Sequence, residues 1–337
     1  MKILVTGGAG FIGSNFIRYM LKKYPNYKIV NLDKLTYAGN LDNLKEVVDN
    51  ENYKFVKGDI CDKKLIDKLF SEETFDALVN FAAETHVDRS ILEPDAFLKT
   101  DIFGTFNLLE AMKKHSTLRG VFISTDEVFG DWAGGGFAKE NDRLEPSSPY
   151  SASKAGGDLM VMAYRRTYDL PVMITHGTNN YGPNQYPEKL IPLFVTNLME
   201  NMKVPVYGAG DQIRDWIYVE DHCSGIDTVL HKGELGQSYN IGANNDPEIT
   251  NMELTKTIVK LCDKDSKMIE YVKDRPGHDV RYAVDTTRLR NLGWKPKINF
   301  EDGIKKTVSW YQGNTEWWKK IKSGEYMEYY KKQYKDR

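Results

Sequence analysis

The chain has 337 residues, 41% of them hydrophobic and 28% charged, a composition typical of a globular protein with one large domain or two. Its formal net charge of −2 gives no reason to expect a nucleic-acid or membrane partner, and no apolar run approaches the ~20 residues that span a bilayer. The three cysteines are widely spaced, and the N-terminal residues run into a strand without a signal peptide, so we expect a cytoplasmic protein with reduced thiols. The six histidines have no metal-binding spacing, and we expect no metal.

The first half of the chain alternates short apolar runs with helical segments, which predicts a Rossmann-type, doubly wound parallel α/β sheet. The predicted strands are Lys2–Thr6, Lys28–Leu32, Tyr53–Lys57, Ala77–Phe81, Gly120–Ser124 and Val172–Thr175. The predicted helices are Phe11–Lys23, Pro94–His115 and Tyr150–Tyr168.

After about Thr178 the pattern changes to short elements between turn-rich segments. We predict an NAD-binding Rossmann domain over residues 1–178, and over residues 179–337 a smaller, mainly nucleotide-sugar-binding α/β region with some segments that return to the first domain. No low-complexity linker separates them, so a cleft between them is the expected ligand site. The Lys- and Tyr-rich tail after Trp318 is predicted to be a solvated helix or arm, with partner binding as the alternative.

The turn after the first predicted strand has the spacing of a dinucleotide-binding loop. Residues Gly7–Gly13 contain both GxGxxG and GxxGxxG between a strand and a helix, where glycines let backbone N–H groups approach a pyrophosphate. Asp33 ends the second strand, where a carboxylate can accept hydrogen bonds from an adenosine ribose. Such a carboxylate repels a 2′-phosphate and favours NAD over NADP, although Lys34 could soften that repulsion. Gly58–Ile60 follows the third strand and is expected to meet the adenine.

A Tyr-x-x-x-Lys pattern occurs four times, starting at Tyr19, Tyr24, Tyr53 and Tyr150, so the string alone is weak. Only Tyr150 follows the fifth strand and opens a predicted helix. Because residues i and i+4 share a helix face, Lys154 is expected to place a positive charge near the Tyr150 hydroxyl. That charge should lower the pKa of Tyr150 from ~10 and make it a base for a sugar or alcohol hydroxyl. The pair that starts at Tyr19 is expected to be a packed aromatic and a solvated lysine.

The triplet Thr125-Asp126-Glu127 comes at the carboxyl end of the fifth predicted strand, the edge at which open α/β sheets bind ligands. Thr125 can orient a reacting hydroxyl, one carboxyl group can take a carbon-bound proton, and the other can protonate a leaving hydroxide. The residues alone leave open which carboxyl group does which. They also leave open a loop in which both carboxylates cap a helix or face water.

Seven motifs stand in a characteristic order. They are Thr6–Ser14, Phe81–Ser90, Ser124–Asp131, Pro149–Ala155, Asn179–Pro192, Gly210–His222 and Asp274–Asp279. With them the chain resembles, from about Met1 to about Trp310, the dTDP-glucose 4,6-dehydratases of the extended short-chain dehydrogenase/reductase family.

This resemblance implies a reaction and a role for each catalytic residue. Tyr150 and Lys154 would drive oxidation at C4 of the glucose, with hydride going to NAD, while Thr125 steadies the C4 oxygen. Glu127 would then remove the C5 proton, and Asp126 would protonate the leaving C6 hydroxyl. The hydride would return to C6 and C5 would be reprotonated, giving a nucleotide-linked 4-keto-6-deoxyglucose, a branch point of deoxysugar biosynthesis. NAD is regenerated in each turnover and should stay tightly bound.

The resemblance also implies ligand contacts and a partner. The residues expected at NAD are Gly7, Gly10, Phe11, Ile12, Gly13, Asp33, Lys34, Thr36, Asp59, Ile60, Phe81, Ala82, Ala83, Thr100, Tyr150, Lys154 and Asn180. Those expected at the sugar nucleotide are Thr85, Thr125, Asn179, Lys189, Leu190, Pro205, Tyr207, Arg214, Asn251, Arg275 and His278. A homodimer joined through the helices that contain Pro94–His115 and Tyr150–Tyr168 is implied as well.

Four positions depart from the family pattern. Phe129 stands where Tyr is usual, Asp101 where Asn is usual, and His176–Thr178 where Arg and a small pair are usual. Near Asn245–Asn251 the chain is longer by about two residues. None of these departures removes a catalytic group.

Other functions are compatible with parts of the pattern. UDP-glucose could replace dTDP-glucose, and a nucleotide-sugar 4-epimerase, a nucleotide-glucuronate decarboxylase or a non-catalytic NAD or sugar-nucleotide sensor would share much of the scaffold. Epimerisation needs no C5 base or C6 acid, so Asp126 and Glu127 argue against it. A decarboxylase would need a cationic pocket for the C6 carboxylate. For Arg214, a surface position or a buried ion pair within Gln212–Trp216 are the alternatives to phosphate binding.

Overall fold

The computed structural model describes residues 1–323. The strands are β1 Lys2–Thr6, β2 Lys28–Asp33, β3 Tyr53–Lys57, β4 Ala77–Asn80, β5 Arg119–Thr125, β6 Val172–Gly177, β7 Asn179–Tyr181, β8 Val204–Tyr207, β9 Ile213–Arg214, β10 Trp216–Tyr218, β11 Ser238–Ile241, β12 Ile249–Thr250 and β13 Ile269–Val272. The α-helices are α1 Phe11–Lys23, α2 Lys63–Glu72, α3 Val87–Leu92, α4 Asp95–Phe97, α5 Thr105–His115, α6 Pro149–Tyr168, α7 Leu190–Met199, α8 Val219–Lys232, α9 Asn251–Leu261, α10 Thr287–Asn291, α11 Phe300–Gly313 and α12 Thr315–Ile321. A π-helix spans Leu98–Gly104, and short 3₁₀ helices span Leu41–Leu44, Asp126–Phe129 and Ser266–Met268.

Seven parallel strands form the central sheet in the order β11-β6-β5-β4-β1-β2-β3. From β1 the chain builds outward to β3, and then crosses back to place β4 on the other side of β1. Connections therefore leave β1 and β4 in opposite directions, and a crevice opens at their carboxyl ends. The predicted Rossmann-type fold class is confirmed.

The apolar strands are buried on both faces of this sheet. Ile3 and Val5 belong to one core cluster, together with residues of α1 and α8. Leu4, which points to the opposite face, belongs to a second cluster with residues of α2, α5 and α6. A third cluster lies among α7, α9 and α11, under the second half of the chain. The sheet therefore holds its carboxyl edge rigidly between two helical layers.

The single helix predicted over Pro94–His115 is interrupted by the π-helix. An added Cβ at Gly157 of α6 would lie 2.8 Å from the carbonyl oxygen of Asp101, so the widened turn packs directly against that glycine. This close contact is a tertiary effect that local periodicity does not reveal, and π-turns often accompany functional sites.

The second half of the chain contributes to both regions. Strand β11 pairs with β6 inside the central sheet, whereas β7 pairs with β10, β8 with β13 and β9 with β12 outside it. The functional division at residue 178 stays a prediction. Within residues 1–323 no helix is both long and apolar enough to cross a membrane. The prediction for the Lys- and Tyr-rich tail falls mainly on residues 324–337, which lie outside the described residues.

Candidate active site

The glycine-rich turn lies at the carboxyl end of β1, where the chain approaches itself very closely. Gly7 has a φ of +69°, and a Cβ there would lie 2.5 Å from the Ala82 backbone nitrogen. A Cβ on Gly13 would lie 2.4 Å from the Gly7 carbonyl oxygen. Gly10, the N-cap of α1, has no side-chain cap, so the first N–H groups of α1 are open to a phosphate. The turn fits a dinucleotide.

Asp33 fixes this turn as well as lining the groove. Its Oδ2 accepts a hydrogen bond from the Ala9 N–H at 2.9 Å, and its Oδ1 accepts one from the Leu35 N–H at 2.8 Å. Burial raises the pKa of Asp33, and these two bonds oppose that effect. Lys34 forms an ion pair with Asp59 at 2.8 Å, so its ammonium is already matched by a carboxylate and is poorly placed to soften repulsion of a 2′-phosphate.

One continuous groove runs from Asp33 to the triplet Thr125–Glu127 and to Tyr150 and Lys154. All the residues predicted to contact NAD line it, although their individual roles stay predictions. Further lining residues that the sequence did not single out are Ala38, Gly39, Glu84, Gln185, Tyr186, Glu188 and His222. The motif Asn179–Pro192 could have indicated three of them. His222 ends the motif Gly210–His222 and Glu84 lies in Phe81–Ser90, but the motif alone does not show that packing of α8 brings His222 to the groove, where its Nδ1 lies 2.6 Å from Asn180 Nδ2.

The triplet forms the turn that follows β5. Thr125 is the N-cap of the 3₁₀ helix Asp126–Phe129, and its Oγ1 accepts a hydrogen bond from the Glu127 N–H at 3.3 Å. Thr125 Oγ1 also lies 3.2 Å from Asp126 Oδ1. The alternative in which the two carboxylates cap a helix or face water is wrong, because Thr125 supplies the cap and both carboxyl groups line the groove.

Tyr150 and Lys154 are positioned by the start of α6. Ser148 caps this helix in a reciprocal arrangement with Ser151. The Lys154 ammonium donates a hydrogen bond to the Ile123 carbonyl oxygen of β5 at 2.7 Å. Both side chains line the groove beside the triplet.

The expectation of a lowered Tyr150 pKa is wrong for the groups of the chain itself. Burial raises the pKa of Tyr150 well above its usual value, and the charges of Glu127 and Asp101 raise it further. A hydrogen bond with Thr125 acts in the opposite direction. The sequence spacing predicts that Lys154 lies on the same helix face as Tyr150. It does not predict the burial of Tyr150 or the nearby carboxylates of Glu127 and Asp101, which raise its pKa.

The two carboxyl groups of the triplet have different surroundings. Asp126 is 3% exposed, and its Oδ2 finds no hydrogen-bond partner in the described part of the chain. Burial raises the pKa of Asp126 well above its usual value, and Glu127 raises it further. Burial also raises the pKa of Glu127, but Arg275, Arg214 and Lys189 all lower it. Asp126 is therefore the better proton donor and Glu127 the better carboxylate base.

A second cavity adjoins the groove at Glu127. Most of the residues predicted at the sugar nucleotide line this cavity: Asn179, Lys189, Leu190, Pro205, Tyr207, Arg214, Asn251, Arg275 and His278. The other two, Thr85 and Thr125, line the groove, and His86, which follows Thr85, lines the cavity. The structure thus brings together the residues predicted at the sugar nucleotide. Their contacts with a ligand stay predictions.

Arginine side chains make this cavity suitable for a diphosphate. Arg214 is 5% exposed, donates to backbone carbonyl oxygens including that of Asp279 at 2.9 Å, and stacks on the Tyr282 ring at 4.2 Å. The surface alternative for Arg214 is wrong. Among the described residues it forms no ion pair, since the carboxylate of Asp215 accepts from backbone N–H groups instead. Arg275 Nη1 is buried with no protein partner in residues 1–323, as expected of a donor reserved for a phosphate oxygen.

Three of the four departures from the family pattern lie close to helix α6, which carries Tyr150 and Lys154. His176 Nε2 lies 3.1 Å from Asp158 Oδ2, and the Phe129 ring packs edge-on against His176 with centroids 4.8 Å apart. Asp101 accepts a hydrogen bond from Ser153 Oγ at 2.6 Å, and the charge of Asp158 raises the pKa of Asp101. The departures are therefore parts of one buried neighbourhood.

Residues 4–307 match the family model described as GDP-mannose 4,6 dehydratase. The chain belongs to this family. A dTDP-glucose 4,6-dehydratase of Shigella flexneri is 47% identical, with 100% of both chains covered. The crystal structure of dTDP-glucose 4,6-dehydratase from Bacillus anthracis, in complex with NAD, is 51% identical, covers 95% of this chain and 99% of its own, and has a TM-score of 0.89. The Streptomyces venezuelae enzyme of the same name, also with NAD bound, is 47% identical over 95% of this chain and 100% of its own, with a TM-score of 0.92. The resemblance stated from the sequence is confirmed.

Proposed function

We propose that this protein is a hydro-lyase, a nucleotide-sugar 4,6-dehydratase that converts dTDP-glucose to dTDP-4-keto-6-deoxyglucose. The observation that carries the proposal is the pair Asp126 and Glu127, which lies where the dinucleotide groove meets the arginine-lined cavity. An acid and a base at that junction are needed for loss of water, and a 4-epimerase would have no use for them. The relatives named above support the proposal.

We assign NAD to the groove as a tightly bound cofactor. Gly7–Gly13 and the open start of α1 would hold its pyrophosphate, and Asp33 would receive its adenosine ribose. Bound NAD would supply a positive ring beside the phenol, the hydride acceptor for C4 and the hydride donor for C6. The fit of the turn, described above, and the NAD-bound relatives support this assignment.

Oxidation at C4 falls to Tyr150, whose phenolate takes the proton of the C4 hydroxyl. Lys154, anchored on the Ile123 carbonyl oxygen, keeps a positive charge on the same helix face and favours that phenolate. The Thr125 hydroxyl, bonded to Tyr150, holds the C4 oxygen in line. Burial of Tyr150 excludes water from the transfer.

Elimination falls to the two carboxyl groups. Glu127, whose pKa is raised by burial but lowered by the charges of Arg275, Arg214 and Lys189, acts as the base and removes the C5 proton, which the C4 ketone has acidified. Asp126, whose pKa is raised by burial and further by Glu127, acts as the acid and gives its proton to the departing C6 hydroxyl. Return of the hydride to C6 and of a proton to C5 then gives the product. The residues alone allowed these roles to be exchanged, and the charges around each group now favour this order.

The test is incubation of the purified protein with dTDP-glucose or UDP-glucose without added NAD, followed by mass analysis of the sugar nucleotides. We expect dTDP-glucose to lose 18 mass units, one water, with no net NADH. Faster loss of water from UDP-glucose would transfer the activity to that nucleotide. Conversion only to the galactose isomer would indicate an epimerase and overturn the proposal, and no turnover of either would indicate a sensor.

We further propose a homodimer that buries the outer faces of the π-helix and α6. Leu98 is 47% exposed, Phe103 64%, Leu159 58% and Met162 39%, and they lie on elements that pack side by side. Exposed apolar patches of this kind are typical of interaction surfaces. Phe103→Glu should yield a monomer in light scattering, whereas Tyr271→Glu, at a ring 65% exposed on β13, should not. A dimeric Phe103→Glu protein would exclude this surface.

We also propose a cytoplasmic location. Cys61, Cys223 and Cys262 are all free thiols, as is usual in a reducing compartment. Cell fractionation with a periplasmic marker tests this proposal, and recovery with that marker would contradict it.

A further inference from the structure

A cluster of polar side chains, which we call the Asn43 clip, connects helix α12 to the glycine-rich turn. It consists of Asn43, Asn184 and Trp317. Asn43 is 4% exposed, and its Nδ2 donates to the Ala9 carbonyl oxygen at 2.9 Å. Its Oδ1 accepts hydrogen bonds from Trp317 Nε1 at 2.9 Å and from Asn184 Nδ2 at 3.2 Å. One buried amide thus joins three segments that are far apart in the sequence.

Helix α1 is held by the same cluster. Arg18 donates to the Asn43 carbonyl oxygen, to Asn184 Oδ1 at 3.0 Å and to Asn15 Oδ1 at 2.7 Å. Asn15 Nδ2 in turn donates to the Pro183 carbonyl oxygen at 3.0 Å. The helix whose N-terminus faces the groove is therefore fastened to the loop that contains Asn184.

Two segments line the groove, and side-chain contacts between them include the two that follow. Residues 34–44 follow β2, residues 182–189 precede α7, and both contribute groove-lining side chains. At one point the Tyr37 ring lies between the Arg89 guanidinium, 3.9 Å from its centroid, and the edge of Tyr186, 5.3 Å away. The second contact is the hydrogen bond between Asn184 and Asn43 in the Asn43 clip. Trp317 does not line the groove itself, and its indole N–H is connected to the groove through the hydrogen bond to Asn43.

The proposed reaction requires this closure. The hydride taken from C4 must return to C6 of the same sugar, so a cofactor that leaves in mid-cycle strands the intermediate. Resting on the proposed function, we propose that Asn43 and Trp317 are positioning residues that keep NAD bound through successive turnovers, by holding the glycine-rich turn and residues 34–44 against residues 182–189. Helix α12 thereby affects cofactor release at a distance.

Two substitutions break the clip at different bonds. Trp317→Phe keeps an aromatic ring but removes the indole N–H. Asn43→Asp keeps both acceptor bonds but removes the donor to the Ala9 carbonyl oxygen. The protein is loaded with NADH and mixed with excess NAD⁺, and the decay of NADH fluorescence gives the dissociation rate without any sugar. Loss of one hydrogen bond should make release roughly three- to tenfold faster in both variants, with the KM for the sugar nucleotide unchanged when NAD is saturating.

The matched control is Trp318→Phe. Trp318 is the next residue of α12, and its Nε1 donates to the Tyr311 carbonyl oxygen at 2.9 Å and not to Asn43. We expect a lower melting temperature but an NADH release rate like that of the wild type.

Three results would be decisive against the clip. Release at the wild-type rate from Trp317→Phe, or equally fast release from Trp318→Phe, would overturn it. A protein that binds no NADH would overturn both the clip and the proposed function. Clip-dependent release from a protein that does not dehydrate dTDP-glucose would sustain the clip and remove only the proposed function.

Discussion

Asp126 and Glu127 are adjacent in the chain, yet neighbouring charges act on their carboxyl groups in different ways. Burial raises the pKa of both groups; the charge of Glu127 raises that of Asp126 further, whereas Arg275, Arg214 and Lys189 oppose the rise at Glu127. Arg214 also lowers the pKa of Asp126, but this effect is smaller than the rise that Glu127 causes. Because neighbouring charges add to the rise in pKa at Asp126 and oppose it at Glu127, we assign the acid to Asp126 and the base to Glu127, and substitutions at the two positions should fail at different steps.

Glu127→Gln removes the base but keeps the shape of the side chain. We expect hydride transfer from C4 to continue, so that NADH absorbance at 340 nm appears in a single turnover and persists. Loss of water should slow by about 10²- to 10⁴-fold. Dehydration at the wild-type rate would remove Glu127 from its role.

Asp126→Asn removes the acid, and its defect should depend on the leaving group. A 6-deoxy-6-fluoro analogue of the substrate expels fluoride, which does not need a proton to leave. We expect this variant to lose roughly 100-fold on dTDP-glucose and much less on the fluoro analogue. Glu127→Gln is the matched control, since it should remain defective on both. Equal losses for Asp126→Asn on the two substrates would contradict the assignment.

Asp101→Asn should change the pH dependence of C4 oxidation. Burial raises the pKa of Asp101 to about 6, and its charge raises the pKa of Tyr150. Below that pH the wild-type residue is neutral, so the variant and the wild type should form NADH at similar rates. Above it the wild type gains a charge that disfavours the phenolate. The variant-to-wild-type rate ratio, measured by stopped flow, should thus rise from near one at pH 5 to above one at pH 8.

The amide should fit the Asp101 site. Its oxygen can accept from the Glu84 N–H, as Asp101 Oδ1 does at 3.2 Å. Its NH₂ can donate to Ser153 Oγ, whose own proton already has the Tyr150 carbonyl oxygen as an acceptor at 2.8 Å. A rate ratio that stays constant across the pH range would show that the charge of Asp101 does not reach Tyr150.

His231→Gln should destabilise the fold mainly at mildly acid pH. The Asp227 carboxylate lies 2.9 Å from His231 Nδ1 and raises the pKa of His231. A raised histidine pKa contributes stability that is fully present below the unfolded value of ~6.5 and is lost as the pH rises through the folded value. His231 and also Lys23 lower the pKa of Asp227, so the carboxylate's contribution is present above ~4 and is lost as the pH falls through its folded value.

Urea unfolding at a fixed protein concentration measures this effect. The loss in unfolding free energy should be about 1 kcal/mol at pH 5.5 and smaller at pH 8.5. Lys232→Gln, at the next position of α8, is the control, because Lys232 donates to the Leu292 carbonyl oxygen and is not part of the His231–Asp227 pair. Equal losses at the two pH values would place the contribution of His231 in packing alone.

Much of this molecule could be predicted from its sequence where the signal is local. The strands from Lys2–Thr6 to Val172–Gly177 lie within two residues of their predicted ends, because buried parallel strands have distinct apolar runs. The expectation for the pair at Tyr19 was only partly right. Lys23 is bonded to the Tyr19 hydroxyl at 3.0 Å and forms an ion pair with Asp227, so it is not simply solvated.

What the sequence could not reveal depends on residues that meet only after folding. Burial raises the pKa of Glu127, and the cations that oppose this effect stand at positions 189, 214 and 275. The raised pKa of Tyr150 comes from burial, and the connection between Trp317 and Asn43 spans 274 positions. No pattern within a window of the chain contains such information.

Strand β11 has a consequence for how this architecture can be divided. It comes from the half of the chain that holds the arginine-lined cavity, yet it covers the side of β6 that would otherwise be the open edge of the central sheet. A fragment cut after Thr178 would expose that row of unpaired N–H and C=O groups, a template for self-association. The second half of the chain therefore cannot be exchanged between relatives as one continuous block: a viable graft has to leave residues 238–241 with the host sheet.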